Sequence, residues 1–163
     1  MTNEPAIDKD AARKLRKLSR SGARLAAVQA LYQIEQTGRA GRAVIEDYCE
    51  DGIGLDDEGR PIEAADPEIF RNTVEGVIES LDDINLAIVK RLADGWKIER
   101  LDATSRAILR AGVYELMKRD DLPAQIILDE YVSIAHAFFD DAEPRFINAL
   151  LENVREDVRD KPA

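Results

Sequence analysis

The chain has 163 residues, of which 34% are charged and 45% hydrophobic, and its formal net charge is −10. These values indicate one globular domain with a substantial core, and they argue against a general nucleic-acid coat protein, which would be basic over the whole domain. Neither a bilayer-length apolar stretch nor a secretory signal is present, so we expect a cytoplasmic protein that does not enter a membrane.

Positive charge is concentrated near the start of the chain. Residues 1–18 are predicted to form a flexible basic arm, disordered over residues 1–12, and residues 19–159 a single domain. No acid occurs in residues 11–24, which contain six cations: Arg13, Lys14, Arg16, Lys17, Arg20 and Arg24. By contrast, residues 46–68 contain ten acids and only one base. This separation permits one local basic site on an otherwise acidic protein.

The first predicted helix follows the arm and ends at Gly38. Its apolar face carries Leu25, Val28, Leu31 and Tyr32 at helical spacing. We expect Arg20 and Arg24 at or just inside its N-terminus, where a cation costs roughly 0.3 to 1 kcal/mol. Two interpretations remain open: a solvated basic tail, or an anion such as phosphate bound by the arginines and the helix end.

Six further helices are predicted from apolar periodicity and from residues that favour helix starts, so the fold is expected to be all-α. The acidic loop at residues 52–65 separates the second helix, Arg42 to Asp51, from the third. Trp96, Ile98 and Leu101 are expected to seal one end of the core, and Gly112 to permit a close helix crossing. The predicted starts of helices three to seven are Asp66, Asp82 or Asp83, Asp102, Pro123 and Pro144.

The sequence offers little catalytic chemistry. It has one histidine, His136, and one cysteine, Cys49. We expect a structural or surface histidine and a cysteine that packs in the core. Metal-ligand motifs, a phosphate-binding loop and a dinucleotide fingerprint are absent, and the acidic loop lacks the ligand spacing of a calcium site. We therefore predict a binding protein rather than an enzyme, without a cofactor or metal.

Two groups of residues are candidates for binding. Arg13, Lys17, Arg20 and Arg24 are spaced by 4, 3 and 4 and would form one stripe of a continuous helix, although Gly22 is a potential break. Arg145 follows Pro144 in a helix first turn and is followed by Phe146. The aromatic ring either packs in the core or stacks on a nucleic-acid base, an interaction worth roughly 1 to 3 kcal/mol.

Four segments together resemble the NusB family of bacterial transcription antitermination factors. They cover most of the chain outside the acidic loop and the tails, and their order and spacing are specific. Ala149 and Asp129 depart from residues common in the family, glycine and asparagine respectively. The segments are RLAAVQALY (24–32), LDATSRAILRAGVYEL (101–116), LP (122–123) leading into ILDE (127–130), and RFINALL (145–151).

The resemblance implies about seven helices in two packed bundles that share the first helix. It also implies single-stranded boxA-type RNA and the ribosomal protein NusE as partners, in an antitermination complex on RNA polymerase. The rivals are a NusB-like regulatory module of a ribosomal RNA methyltransferase and a protein-only dimerisation adaptor. The sequence does not distinguish a monomer from a homodimer. The RNA-binding residues implied are Arg16, Lys17, Arg20, Arg24, Gln29, Tyr32, Arg145 and Phe146.

Overall fold

A computed structural model describes residues 9–51 and 65–159, which form seven α-helices and one 3-10 turn, Ile98–Arg100. Residues 1–8 and 160–163 lie outside the described residues, as does the predicted acidic loop apart from Ala65. The helices are α1 (Lys9–Thr37), α2 (Gly41–Asp51), α3 (Pro67–Glu79), α4 (Leu81–Arg91), α5 (Ala103–Lys118), α6 (Ala124–Phe138) and α7 (Ala142–Val158).

The helices pack as two groups, as expected. One group contains α1, α2 and α3, and the other contains α4 to α7. The first helix borders both groups, because it packs on α2 and α3 and also contacts α5 and α6. Ion pairs from Arg24 to Glu115 and from Glu35 to Arg106 show that α1 and α5 run antiparallel. The all-α prediction is confirmed for the described residues.

Helix caps explain several of the element starts. The Asp66 side chain accepts hydrogen bonds from the backbone N–H groups of Glu68 and Ile69, at 2.9 and 3.2 Å. Asp102 caps α5 in the same way, which confirms both predicted caps. The predicted cap of α4 is wrong: the helix begins at Leu81, and Asp82 and Asp83 lie in its first turn, where their charges still favour the helix dipole.

The end of α5 is closed by a residue from the end of the chain. The guanidinium of Arg159 donates to the backbone oxygens of Leu116, Arg119 and Leu122 at 2.8, 2.8 and 2.9 Å. These oxygens lie in and just after the last turn of α5, where carbonyl groups lack helical partners and a cation is favourable. Arg159 therefore ties the segment after α7 to the end of α5.

Three expectations about packing can be compared with the structure. A Cβ at Gly112 would lie 3.1 Å from Cδ2 of Leu151, so α5 does approach α7 closely there. Ile98 and Leu101 are buried, as predicted, whereas Trp96 is 52% exposed and does not seal the core. Cys49 is also exposed, contrary to expectation.

The first helix begins earlier than predicted. It is continuous from Lys9 to Thr37, and Gly22 is buried within it without interrupting it. Residues 9–12, expected to be disordered, are therefore helical, and the helix passes through the predicted boundary between arm and domain. Arg20 and Arg24 lie in the middle of the helix and not at its N-terminus. An anion held by that helix end cannot be their partner.

Candidate nucleic-acid interface

One face of the N-terminal half of α1 carries a row of exposed cations, here called the basic stripe. At 3.6 residues per turn, its members fall within an arc of about 100°. No described acid lies within ion-pairing distance of any of them, in contrast to most arginines on the rest of the molecule. The basic stripe consists of Lys9, Arg13, Arg16, Lys17 and Arg20.

The opposite side of this half of α1 is apolar and exposed. Leu15 is 62% exposed and Leu18 is 57% exposed. The basic stripe therefore belongs to an amphipathic helix that extends beyond the packed core, since the buried residues of α1 begin only at Gly22.

Arg24 continues the line of the basic stripe but enters the core. It is 2% exposed, and its guanidinium forms a bidentate pair with Glu115 of α5, Nε to Oε2 at 2.8 Å and Nη2 to Oε1 at 3.0 Å. A second carboxylate, that of Glu130, lies 4.0 Å from Nη1. Arg24 is thus committed to the protein interior, which changes its expected role from RNA contact to structural anchor.

Two residues of α6, Glu130 and Tyr131, complete the cluster around the Arg24–Glu115 ion pair. The hydroxyl of fully buried Tyr131 donates to Oε2 of Glu115. Ser21 donates from Oγ to the carboxylate of Glu130 at 2.8 Å. Burial raises the pKa of Tyr131 well above its usual value, and the neighbouring Glu115 carboxylate raises it further. The cluster joins α1, α5 and α6 where the basic half of α1 leaves the bundle.

Replacing Tyr131 by phenylalanine should lower the free energy of unfolding at pH 8 by about 1–3 kcal/mol, because Glu115 loses a hydrogen bond. The pKa of Tyr131 is raised in the folded protein, so the tyrosine binds its proton more tightly there than in the unfolded chain. The difference in free energy of unfolding between the wild type and Tyr131→Phe should therefore decrease above pH 10, by up to about 1.4 kcal/mol per pH unit.

Urea unfolding at intervals from pH 8 to 11 measures this effect. The matched control is Tyr32→Phe, whose ring is 41% exposed and lies outside the cluster. A Tyr131→Phe deficit that stays constant up to pH 11 would contradict the burial of a protonated phenol.

Gln29 and Tyr32 lie farther along α1 than the basic stripe. Gln29 is half-buried and Tyr32 is exposed. Twelve residues separate Tyr32 from Arg20, which is about 18 Å along the axis, and the two side chains point about 120° apart around the helix. The structure therefore places them on one helix but not in one compact site.

A network of charges lies beside Tyr32. Glu35 accepts hydrogen bonds from the guanidinium groups of Arg106 and Arg110, and Arg110 also donates to Oδ1 of Asn85 at 3.0 Å. The hydrogen bond from Arg106 lowers the pKa of Glu35. This network fixes the C-terminal half of α1 on α5 and α4.

Arg145 and Phe146 lie on the other helix group. Arg145 is exposed and has no ion-pair partner among the described residues, whereas Phe146 is half-buried against the core. Both lie in the early part of α7, which begins at Ala142 and not at Pro144. Because α7 packs mainly on α4, α5 and α6, these residues belong to a different group of helices from the basic stripe.

The residues missed by sequence reasoning are Glu115 and Tyr131. A signal for Glu115 was available, because it lies at helical spacing from Ile108 and Gly112 on the buried face of α5. An acid on such a face requires a buried cation, and Arg24 occupies the corresponding face of α1. His136 is exposed, in agreement with a surface histidine.

Among residues 9–51 and 65–159, no three His, Cys, Asp or Glu residues are grouped so that they could hold a metal ion. No helix in this part of the chain is long and apolar enough to span a membrane.

The architecture places the chain among all-helical proteins built from two packed bundles. Residues 21–156 match the model of the NusB family. The chain therefore belongs to the NusB family, and the resemblance found in the sequence is confirmed.

Known proteins agree with this assignment. The chain is 50% identical to the transcription antitermination protein NusB of Hyphomonas neptunium, over 98% of this chain and 99% of the relative. It is similar to T. maritima NusB, with 27% identity, a TM-score of 0.68 and coverage of 83% of this chain and 89% of that one. The chain is also similar to a structure of antitermination factors NusB and NusE in complex with dsRNA, with a TM-score of 0.72 and coverage of 85% of this chain and 97% of that one. Because the identity is 22%, this similarity shows the fold alone.

Proposed function

We propose that this protein is an antitermination factor that binds single-stranded boxA-type RNA together with the ribosomal protein NusE. The observation that carries the proposal is the basic stripe, five exposed cations without described acidic partners in a chain of net charge −10. Exposed, unpaired cations on one helix face suit a phosphate backbone. The acidic remainder of the chain would disfavour binding elsewhere on the surface.

The proposed contacts fall into three groups. Arg16, Lys17 and Arg20 bind phosphates at the basic stripe. Gln29 and Tyr32 contact the RNA farther along α1, so that a strand following the helix covers about 18 Å between Arg20 and Tyr32. Arg145 and Phe146 form a third contact on α7. Arg24 is omitted because its guanidinium is buried against Glu115.

The factor acts by promoting the assembly of an antitermination complex. A relative of the same fold is found in a complex with NusE and RNA. By holding RNA and NusE at the same time, the chain would raise their effective concentration for one another and for RNA polymerase in the cytoplasm. The proposal includes no catalytic step and no cofactor.

The test is titration of a single-stranded boxA-type RNA, with and without NusE, at several salt concentrations. With about four phosphate contacts, the logarithm of affinity should fall against the logarithm of salt concentration with a slope near −3. A salt-independent affinity, or saturable binding to NusE with no contribution from RNA, would contradict the proposal. Saturable binding to NusE with no contribution from RNA would favour a protein-only adaptor. RNA binding whose only consequence is methylation of the RNA would favour a regulatory module of a ribosomal RNA methyltransferase.

A further inference from the structure

The basic half of α1, residues 9–20, projects from the bundle, so a small tilt at its base produces a large displacement at its tip. The helix is continuous, but its buried residues begin only at Gly22, and a glycine lowers the stability of a helix interior. Lys9 lies about 18 Å along the axis from Ser21, so a tilt of about 20° at Ser21 would move Lys9 by about 6 Å. The position of the basic stripe therefore depends on how α1 is held next to Gly22.

Two hydrogen bonds hold α1 just before Gly22. The backbone N–H of Asp66 donates to the backbone oxygen of Ser19 at 3.2 Å, which links α1 to the start of α3. The hydroxyl of Ser21 donates to the carboxylate of Glu130 on α6, with Oγ 2.8 Å from Oε2 and 3.1 Å from Oε1. The second hydrogen bond joins two side chains, so a substitution can remove it without altering the backbone.

Close packing does not replace the hydrogen bond between Ser21 and Glu130, because a groove of about 330 Å³ lies between α1 and α6 beside it. Lys17, Ser21 and Leu25 line the groove from α1, and Asp129 and Glu130 are among the residues that line it from α6. Since Lys17 belongs to the basic stripe, the groove extends to the stripe itself. The hydrogen bond therefore bridges two helices that are not in close contact at this point.

Glu130 is itself held in place. Its side chain is 14% exposed, and Oε1 lies 4.0 Å from Nη1 of Arg24, which is fixed by its bidentate pair with Glu115. A carboxylate that is already ordered loses little further side-chain entropy when it accepts a hydrogen bond, and a bond to an ionised acceptor is stronger than one to a neutral acceptor. The buried cluster around Arg24 and Glu115 thus continues through Glu130 to the base of the basic half.

We propose that Glu130 is a positioning residue for RNA binding, which holds the basic stripe in its binding orientation through the hydroxyl of Ser21 and does not contact the RNA. The inference rests on the proposed function. When the hydrogen bond is lost, the basic half samples other orientations, and the apparent affinity decreases with the fraction of molecules in the competent one. This effect is opposite in sign to that of charge, because a carboxylate near the basic stripe repels phosphate.

The affinity for a fluorescently labelled, single-stranded boxA-type RNA separates the hydrogen bond from the charge. Glu130→Gln and Glu130→Ala remove the same charge from the full-length chain, but glutamine keeps an oxygen that can accept from Ser21. We expect Glu130→Ala to bind roughly 3- to 10-fold more weakly than Glu130→Gln, as for a competent fraction of about 10–30%. The matched control is Asp129→Ala, because Asp129 is hydrogen-bonded to Gln125 of its own helix. It should bind no more weakly than Glu130→Gln.

Substitutions of Ser21 test the same hydrogen bond without any change of charge. Ser21→Ala should weaken RNA binding by roughly 3- to 10-fold, and Ser21→Thr, which keeps the hydroxyl, should restore it. In the Glu130→Ala background, Ser21→Ala should have no further effect because the bond is already absent. Ser133→Ala removes an exposed hydroxyl from the same groove and is the matched control. Chemical denaturation monitored by circular dichroism shows whether each variant is folded.

The orientation of the basic half is measured in the free protein by pulsed electron paramagnetic resonance between two spin labels. The single cysteine, Cys49, is first replaced by serine. Labels are then attached at Leu15→Cys on α1 and His136→Cys on α6, two exposed positions outside the basic stripe. We expect a narrow distribution of label distances with Ser21 in place, a broader one with Ser21→Ala, and a narrow one with Ser21→Thr.

Equal affinities of Glu130→Ala and Glu130→Gln, with Ser21→Ala binding as the wild type does, would overturn the positioning role and leave the proposed function intact. A broader distance distribution in Ser21→Ala without a loss of affinity would also overturn it, because orientation would then not limit binding. A loss of affinity without broadening would indicate that Ser21 contacts the RNA itself, contrary to the inference. A wild-type chain that binds no RNA would overturn both proposals.

Discussion

Replacing Arg24 by methionine is expected to lower the free energy of unfolding by about 3–5 kcal/mol, because the substitution leaves the Glu115 carboxylate buried without its cation. The side chains of Arg24 and Glu115 are 2% and 1% exposed, so water cannot substitute for the lost guanidinium. Methionine keeps much of the length and apolar stem of arginine, and the cost therefore reports the charge and its two hydrogen bonds. Chemical denaturation monitored by circular dichroism measures it.

Two further variants make this prediction specific. Arg20→Met is the same substitution one turn earlier at an exposed position, and it should change stability by no more than about 0.5 kcal/mol. The double variant Arg24→Met with Glu115→Met should be more stable than Arg24→Met alone, since it removes the unpaired charge as well. If Arg24→Met were no more destabilising than Arg20→Met, the buried ion pair would not anchor α1.

Local signals in the sequence predicted much of the fold. Asp66 and Asp102 were correctly identified as helix caps because an aspartate cap needs only the next few residues. The predicted N-cap of α4 was wrong because an aspartate is favourable both as a cap and in the first turn of a helix. The geometry of the short connection between α3 and α4 decides which of the two positions the aspartates occupy. The predictions that Trp96 and Cys49 would be buried were wrong for another reason. Side-chain type predicts a tendency to be buried, but burial depends on which helices lie nearby.

The candidate site was less predictable than the fold, and Arg24 shows why. Its spacing from Arg20 and Lys17 is that of one helical stripe, so sequence periodicity groups it with the exposed cations. Its burial is imposed by Glu115, which is 91 residues away in the chain, and by the α6 residue Glu130. Only the packing of α1 on α5 and α6 separates the exposed cations of the basic stripe from Arg24, which is buried and anchors α1 to these two helices.

The largest expected effect on RNA binding comes from replacing Arg16, Lys17 and Arg20 together by alanine. Each lost phosphate contact on single-stranded RNA reduces the salt slope by about 0.7, so the slope should become shallower by about 2. If the two affinities converge near 1 M salt, the variant should bind roughly 100- to 1,000-fold more weakly at about 50 mM salt and roughly 30-fold more weakly at about 200 mM. Fluorescence anisotropy with a labelled boxA-type RNA over this salt range gives both quantities.

The fold should not contribute to this loss, because all three side chains are exposed and none forms an ion pair with the described residues. Alanine is also a good helix former, so α1 should persist. The matched control replaces Lys90, Lys97 and Lys118 by alanine, which removes the same net charge from exposed positions that also lack an ion pair with the described residues. Equal losses in the two triple variants would mean that the RNA responds only to net charge. A selective loss in the α1 variant, with a shallower slope, requires the phosphates to lie along the basic stripe.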